Sequence, residues 1–233
     1  MNTLNFFYKT IGTILFVITF LSTSSVVALD KFNKAERVSD YFSGILLLNE
    51  NKYAKSFDFL KKLNGLEISH SNYSIKYLYS LVNSGNLKKA FDYSKKLEKQ
   101  KLDSFESHII TGMFHLKNSD LNLAQKYFLK AKSGNPRFIL NDYLSNSLYI
   151  WSSLNNYDLN QATSELEKLD ERFENLKKIQ KVFLNCYFNT NEVETSFEEL
   201  VLNQKTDFSR YNFFYAKYLE SSKQQTKAKR IIK

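Results

Sequence analysis

The chain has 233 residues, enough for one large domain or two small ones, and its 33 Lys and Arg against 24 Asp and Glu give a formal net charge of +9. Six Gly and one Pro disfavour a loop-rich or β-turn-rich fold, and a single cysteine, Cys186, excludes an internal disulfide and a cysteine-cluster metal site. Twenty Phe and fifteen Tyr supply large bodies for packing between helices. No sustained two-residue alternation is present, so an all-α chain is expected.

Residues 1–28 have the layout of a targeting segment. Lys9 precedes the apolar run Ile11–Leu21, polar Ser22–Ser25 follow, and Val26-Val27-Ala28 places small residues where a signal peptidase cuts. Cleavage after Ala28 is expected, with a retained membrane anchor as the alternative, although a spanning helix wants about 20 apolar residues. Removal would take Lys9 and lower the net charge by one. Residues 29–36 form a short leader.

Helical periodicity then predicts paired segments in chain order. Arg37–Asn49 and Tyr53–Leu63 end at Asn64-Gly65, a left-handed helix stop. Ser71–Ser84 and Leu87–Lys99 are joined by Gly85-Asn86. Phe105–Pro136 reads as two short amphipathic helices closed by Gly134-Asn135-Pro136, where proline ends the helix by fixing φ and removing an N–H. Looser pairs follow at Asn141–Leu154 with Leu159–Leu169, and at Leu176–Phe188 with Val193–Asn203. Phe208–Ser221 and Thr226–Ile232 give a last, shorter pair, which reads as a fragment or the start of a longer array.

A 34-residue step runs through these segments. Ala124, Ala90 and Ser56 are spaced by it, each after a matching run: SDLNLA, GNLKKA and NKYAKS. Gly112 lies 12 residues before Ala124, as Gly44 lies 12 before Ser56; Phe128, Ala131 and Pro136 follow Gly112 at 16, 19 and 24, and Leu78 departs from the pattern in the second step. These spacings resemble those of tetratricopeptide (TPR) repeats. The resemblance implies an all-α, TPR-like right-handed α-solenoid of about five to six helix-turn-helix repeats, with three in-register repeats over 37–136, two looser ones over 137–204 and an incomplete one over 205–233.

Catalytic signatures are missing. There is no His-Glu-x-x-His, no Gly-x-Ser-x-Gly and no phosphate-cradling glycine loop. His108 and His115 share a helix face but are two ligands where a metal site wants three or four, and they read as packing residues. Glu165/Glu167 and Glu198/Glu199 diverge on their helices and read as solvated charge. Lys88, Lys89, Lys95, Lys96 and Lys99 read as a solvated face, so neither a cofactor nor a nucleic-acid partner is expected, and the membrane enters only through an uncleaved N-terminal segment.

The resemblance implies that the first helix of each repeat lines a concave face. Its groove positions fall on Val38, Tyr41, Ile45 and Leu48; on Asn72, Ile75, Tyr79 and Val82; on Glu106, Ile109, Met113 and Leu116; and on Leu144, Ser147, Trp151 and Leu154. The fifth repeat changes character, with Lys178, Lys181, Asn185 and Phe188. Tyr41, Ile45, Leu48, Ile75, Tyr79, Ile109, Met113, Leu116 and Trp151 are the candidate groove for a protein or peptide partner, open to an amphipathic helix or an extended segment, unless the face is filled by the chain itself. The expected function is a non-catalytic periplasmic scaffold. The alternatives are an N-terminal adaptor segment of a longer envelope protein and an inner-membrane anchor facing the periplasm.

Overall fold

In each of five helix pairs the chain reverses through one residue of left-handed backbone. Those residues are Asn51, Gly85, Ser119, Asn189 and Lys223, with φ of 59°, 77°, 61°, 50° and 62°. The same two hydrogen bonds close every turn, as shown by Asn51 N–H to Leu48 O at 3.0 Å with Lys52 N–H to Leu47 O at 2.8 Å, and by Gly85 N–H to Val82 O at 3.0 Å with Asn86 N–H to Leu81 O at 2.8 Å. This is the Schellman arrangement, which satisfies the last carbonyls of a helix while turning the chain sharply. Only one of the five positions is glycine, so local side chains tolerate a backbone that L-residues adopt at a cost of roughly 1 kcal/mol.

The computed structural model describes residues 34–133, 138–202 and 207–232. The targeting segment, the leader up to residue 33 and the Gly134-Asn135-Pro136 stop lie outside the described residues. Helix α1 runs through residues 34–49, so residues 34–36, read as leader, are helical. Then come α2 (Tyr53–Leu60), α3 (Ser71–Asn83), α4 (Leu87–Lys99), α5 (Phe105–Lys117), α6 (Leu121–Ser133), α7 (Ile139–Ser152), α8 (Leu159–Glu167), α9 (Glu174–Tyr187), α10 (Val193–Val201), α11 (Asn212–Ser221) and α12 (Gln225–Ile232). Short 3-10 turns at Lys61–Leu63, Leu66–Ile68, Glu171–Phe173 and Ser209–Tyr211 link pairs. No strand occurs among the described residues. The helices pack in consecutive pairs and form two compact units, one up to Asp103 and one from Ser104.

Within a pair, the packing rests on one small-to-large contact. A Cβ on Gly44 would lie 2.6 Å from Leu60 Cδ2, and one on Gly112 would lie 2.5 Å from Phe128 Cε1. Both distances are shorter than any real contact, so these glycines let α1 meet α2 and α5 meet α6. Sixteen residues separate the partners in each case. At the same two positions of the α3–α4 pair stand Leu78 and Ser94, both buried. The bulk has changed sides, which keeps the volume of the contact and explains the departure at Leu78.

In the first unit Leu48, Leu60, Leu63 and Tyr73 form a core flanked by Tyr41, Ile45, Tyr53, Leu66 and Tyr77. Tyr73 stacks on Tyr77 at 5.7 Å between centroids, and Tyr77 meets Tyr93 edge-on at 4.8 Å. Burial pushes the Tyr73 and Tyr93 phenols above their ordinary range, and the Tyr73 hydroxyl donates to Leu60 O at 2.9 Å. Glu67, on the turn between α2 and α3, has a buried carboxylate that accepts from Gly65 N–H at 2.8 Å and pairs with Lys96 on α4. Burial raises its pKa, but the Lys96 bond and the backbone N–H groups outweigh that, so the net shift is downward.

In the second unit, Ser104 and Ser107 form a reciprocal capping box at the start of α5, and Asp158 and Gln161 do the same for α8. Ile150, Leu154, Ala162, Leu166, Leu169 and Leu184 make one core, and Ile179, Val182, Val193, Phe197, Leu200, Tyr215, Leu219 and Ala228 another. The terminal helix is tied back by Lys227, which pairs with Glu194 and Glu198 on α10 while Glu198 also accepts from the Tyr215 hydroxyl at 3.1 Å.

Gly112→Ala is expected to cost about 1–3 kcal/mol through overpacking. In a Phe128→Ala background the same change should cost less than about 0.5 kcal/mol, a coupling readable by urea denaturation of the four variants. Equal costs in both backgrounds would show that the Gly112–Phe128 contact does not set the helix approach. Glu67→Gln should lower stability at neutral pH by about 1–3 kcal/mol. Because the folded-state pKa of Glu67 is depressed, its contribution is present above the unfolded carboxylate pKa and fades as pH falls through the folded value. Melting temperature below about pH 5 should therefore fall less steeply in the variant than in the parent protein.

Candidate functional site

The left-handed turns give a register for the first helix of each pair. Seven residues before each turn stands Gly44, Leu78, Gly112, Val182 or Ala216, and all five are buried against the second helix. The next residue along, Ile45, Tyr79, Met113, Phe183 or Lys217, is half-buried or exposed. A step of one residue, about 100° around the helix, therefore separates an inner stripe from a more exposed one.

In the first unit Tyr41, Ile45 and Leu48 lie on α1. Tyr41 is half-buried, its ring is edge-on to His70 at 5.1 Å between centroids, and its hydroxyl and His70 Nε2 share a hydrogen bond of 2.9 Å. Ile45 is half-buried against the core, and Leu48 is 4% exposed and belongs to that core, so it offers no surface. Ile75 and Tyr79 share one face of α3. Ile75 is half-buried, while Tyr79 is 49% exposed and meets Tyr53 edge-on at 5.9 Å.

In the second unit Ile109, Met113 and Leu116 share one face of α5, with Met113 45% exposed at its centre and the other two half-buried. Leu140 and Leu144 on α7 are also exposed. Trp151 is half-buried and already engaged: its indole Nε1–H donates to Gln180 Oε1 at 3.0 Å. The Gln180 amide in turn donates to Ser147 Oγ at 3.0 Å and to the Tyr143 hydroxyl. One α9 glutamine thus pins three α7 side chains. Its role was not read from the sequence, although Tyr143, Ser147 and Trp151 stand at four-residue steps on a single helix face and so announce a common neighbour.

The fifth repeat needs a correction. From the left-handed residue to the next helix is two residues in four pairs, but α10 begins four residues after Asn189. The strict 34-residue step from Ala162 to Ser196 therefore mis-registers α9 by two. Asn185 is buried and donates to Ser196 Oγ on α10 at 2.7 Å, and Lys178 and Lys181 line a cleft shared with α10. The face corresponding to Met113 instead carries Leu176, Ile179, Phe183 and Cys186. No change to a cationic face takes place there. Phe42 and Leu46, exposed on α1 beside Val38, were likewise not singled out, because their spacing reads equally well as core.

Among the described residues no three His, Cys, Asp or Glu side chains gather as a metal-binding group, and no helix is long and apolar enough to cross a membrane. His115 stacks on Tyr127 at 5.7 Å, with Nδ1 3.7 Å from Asp120. Burial raises the Cys186 thiol pKa, which leaves it protonated.

These helix pairs, their turns and their small-to-large contacts define an all-α helical-repeat fold of TPR type. Two solved structures share it. One is YrrB, described as a TPR protein with an unusual peptide-binding site, at a TM-score of 0.55 and 17% identity over 71% of this chain and 85% of that one. The other is the Cut9–Hcn1 heterotetramer of the APC/C, at a TM-score of 0.55 and 13% identity over 80% of this chain and 37% of that one. No protein-family model matches the sequence, and neither does any curated protein.

Trp151→Phe keeps an aromatic ring and removes the indole donor. It should cost about 1 kcal/mol in urea denaturation. Gln180→Ala, which strips Tyr143, Ser147 and Trp151 at once, should cost more and should change the emission of the only tryptophan. An unchanged spectrum would mean that the pin is not formed in solution.

Proposed function

We propose that this chain is a non-catalytic scaffold of the bacterial periplasm that holds a protein or peptide partner against the apolar faces of its first helices. The observation that carries the reading is the face of α5, where Met113 is 45% exposed between half-buried Ile109 and Leu116. Leu140 and Leu144 on α7 extend apolar exposure within the same unit, and Tyr79 repeats it in the other. Exposed apolar side chains in register, and not scattered singly, are the mark of a binding surface. The likeness to YrrB, whose description includes a peptide-binding site, supports the same use of this fold. Within the candidate set, Tyr79 and Met113 are the surface contacts, Tyr41, Ile45, Ile75, Ile109 and Leu116 flank them, and Leu48 and Trp151 act as supports. Export rests on Lys9, the run Ile11–Leu21 and the Val26-Val27-Ala28 cleavage layout.

A photo-crosslinking residue at Met113 or Leu144, with one at Lys126 on the exposed side of α6 as control, tests this in intact cells. A discrete protein adduct at 113 and 144 but not at 126, on a chain whose mature N-terminus is Leu29, is the expected result. Equal labelling at all three positions, or adducts only within the chain, would overturn the groove reading.

A further inference from the structure

The two extra residues between α9 and α10 do more than shift a register. Asn191 and Glu192, which belong to the lengthened turn, line a cleft of about 610 Å³ whose other walls are α9 and α10, with Glu167 of α8 at one end. Along α9 the lining follows one stripe, from Glu174 through Lys178 and Lys181 to Val182. That stripe turns away from Leu176 and Phe183, so the cleft and the face proposed above lie on different sides of one helix.

The cleft is lined by charges of both signs. Lys177, 5% exposed, is neutralised at the floor by Glu174 at 3.2 Å and Glu167 at 3.7 Å, with Leu169 O accepting from it at 3.4 Å. Nearby in this unit Lys168 pairs with Glu165, Arg172 with Asp170 and Lys227 with Glu194. Lys178 and Lys181 on one wall, and Glu192 and Glu199 on the other, form no side-chain hydrogen bond or ion pair with any described residue, although all four line the same space. The cleft holds unlike charges apart, over a partly apolar floor of Val182 and Leu200 with Thr195 as a hydroxyl donor.

We propose that this cleft is a second docking site, and that its ligand is a peptide segment carrying acidic and basic side chains together. Carboxylates of the ligand meet Lys178 and Lys181, and its ammonium or guanidinium groups meet Glu192 and Glu199. The stripe from Glu174 to Val182 rises about 12 Å, which an extended segment of about four residues spans. A purely anionic ligand meets Glu192 and Glu199 as repulsive walls, and a purely cationic one meets the two lysines, so the arrangement selects against both.

The test uses three acetylated, amidated octapeptides: alternating Glu-Lys, all Glu and all Lys. Their binding to the mature chain is followed by calorimetry and by backbone amide shifts. Expected is binding of the alternating peptide alone, with shifts at Asn191, Thr195 and Lys181. The double variant Lys178→Glu, Lys181→Glu should weaken it about tenfold or more. Adding Glu192→Lys and Glu199→Lys should restore it, because the reversed cleft still presents both signs. Met113→Glu should leave it unchanged, which separates this site from the α5 face. No binding, equal binding of the all-Glu peptide, indifference to the double variant, or failure of a folded quadruple variant to recover would each overturn the proposal.

Discussion

A helix that ends in one left-handed residue, seven positions after a residue pressed against its partner helix, couples two things that are usually independent. The turn fixes the direction in which the chain returns, and the buried position fixes how closely the returning helix lies. In the α1–α2, α3–α4, α5–α6 and α11–α12 pairs both are met with a separation of 12 residues between the facing small or buried positions. Once that geometry is set, the rest of each first helix has no freedom. The stripe beside the buried residue lies about 100° around the helix from that contact, and in α3, α5 and α11 it is exposed as Tyr79, Met113 and Lys217.

That constraint explains why composition can vary while the pair survives. Gly44 against Leu60 and Gly112 against Phe128 place the bulk on the second helix, while Leu78 and Ser94 place it on the first. The contact is one of summed volume, not of particular residue types. Between pairs the ties are polar and specific. Glu67 reaches Lys96, Gln180 holds Tyr143, Ser147 and Trp151, and Lys227 holds Glu194 and Glu198. Glu67 and Ser147, buried in these ties, would be costly if left without partners, so each tie helps to fix the register of one pair on the next.

Much of this was legible because repeats print their geometry at fixed intervals. Ala90 and Ala124 announced the second helices, and Gly85 announced a turn that four other pairs make without glycine. The fifth pair was misread for a physical reason. A strict interval assumes a turn of constant length, and the two additional residues after Asn189 are invisible to spacing once Ser196 stands where a small residue is wanted. Burial was also hard to read. Leu48 and Met113 occupy comparable stripes, but Leu48 is sealed by Leu60, Leu63 and Tyr73, which depends on long-range packing that no local pattern records.

The lengthened turn also decides which side of α9 carries its lysines. If α9 were registered by the strict interval, Lys178 and Lys181 would interrupt an apolar face. Because the turn absorbs two residues, that face keeps Leu176 and Phe183, and the lysines move to the side of α10. The same insertion supplies Asn191 and Glu192 to the far wall. Leu176 with Phe183, and the charged stripe, then lie on different sides of one helix. An insertion within a helix could not do this, since it would rotate every later residue by about 100° for each residue added and carry the buried stripe with them. In the turn, the added length displaces only the partner helix, and the core positions Val182, Phe197 and Leu200 remain in contact.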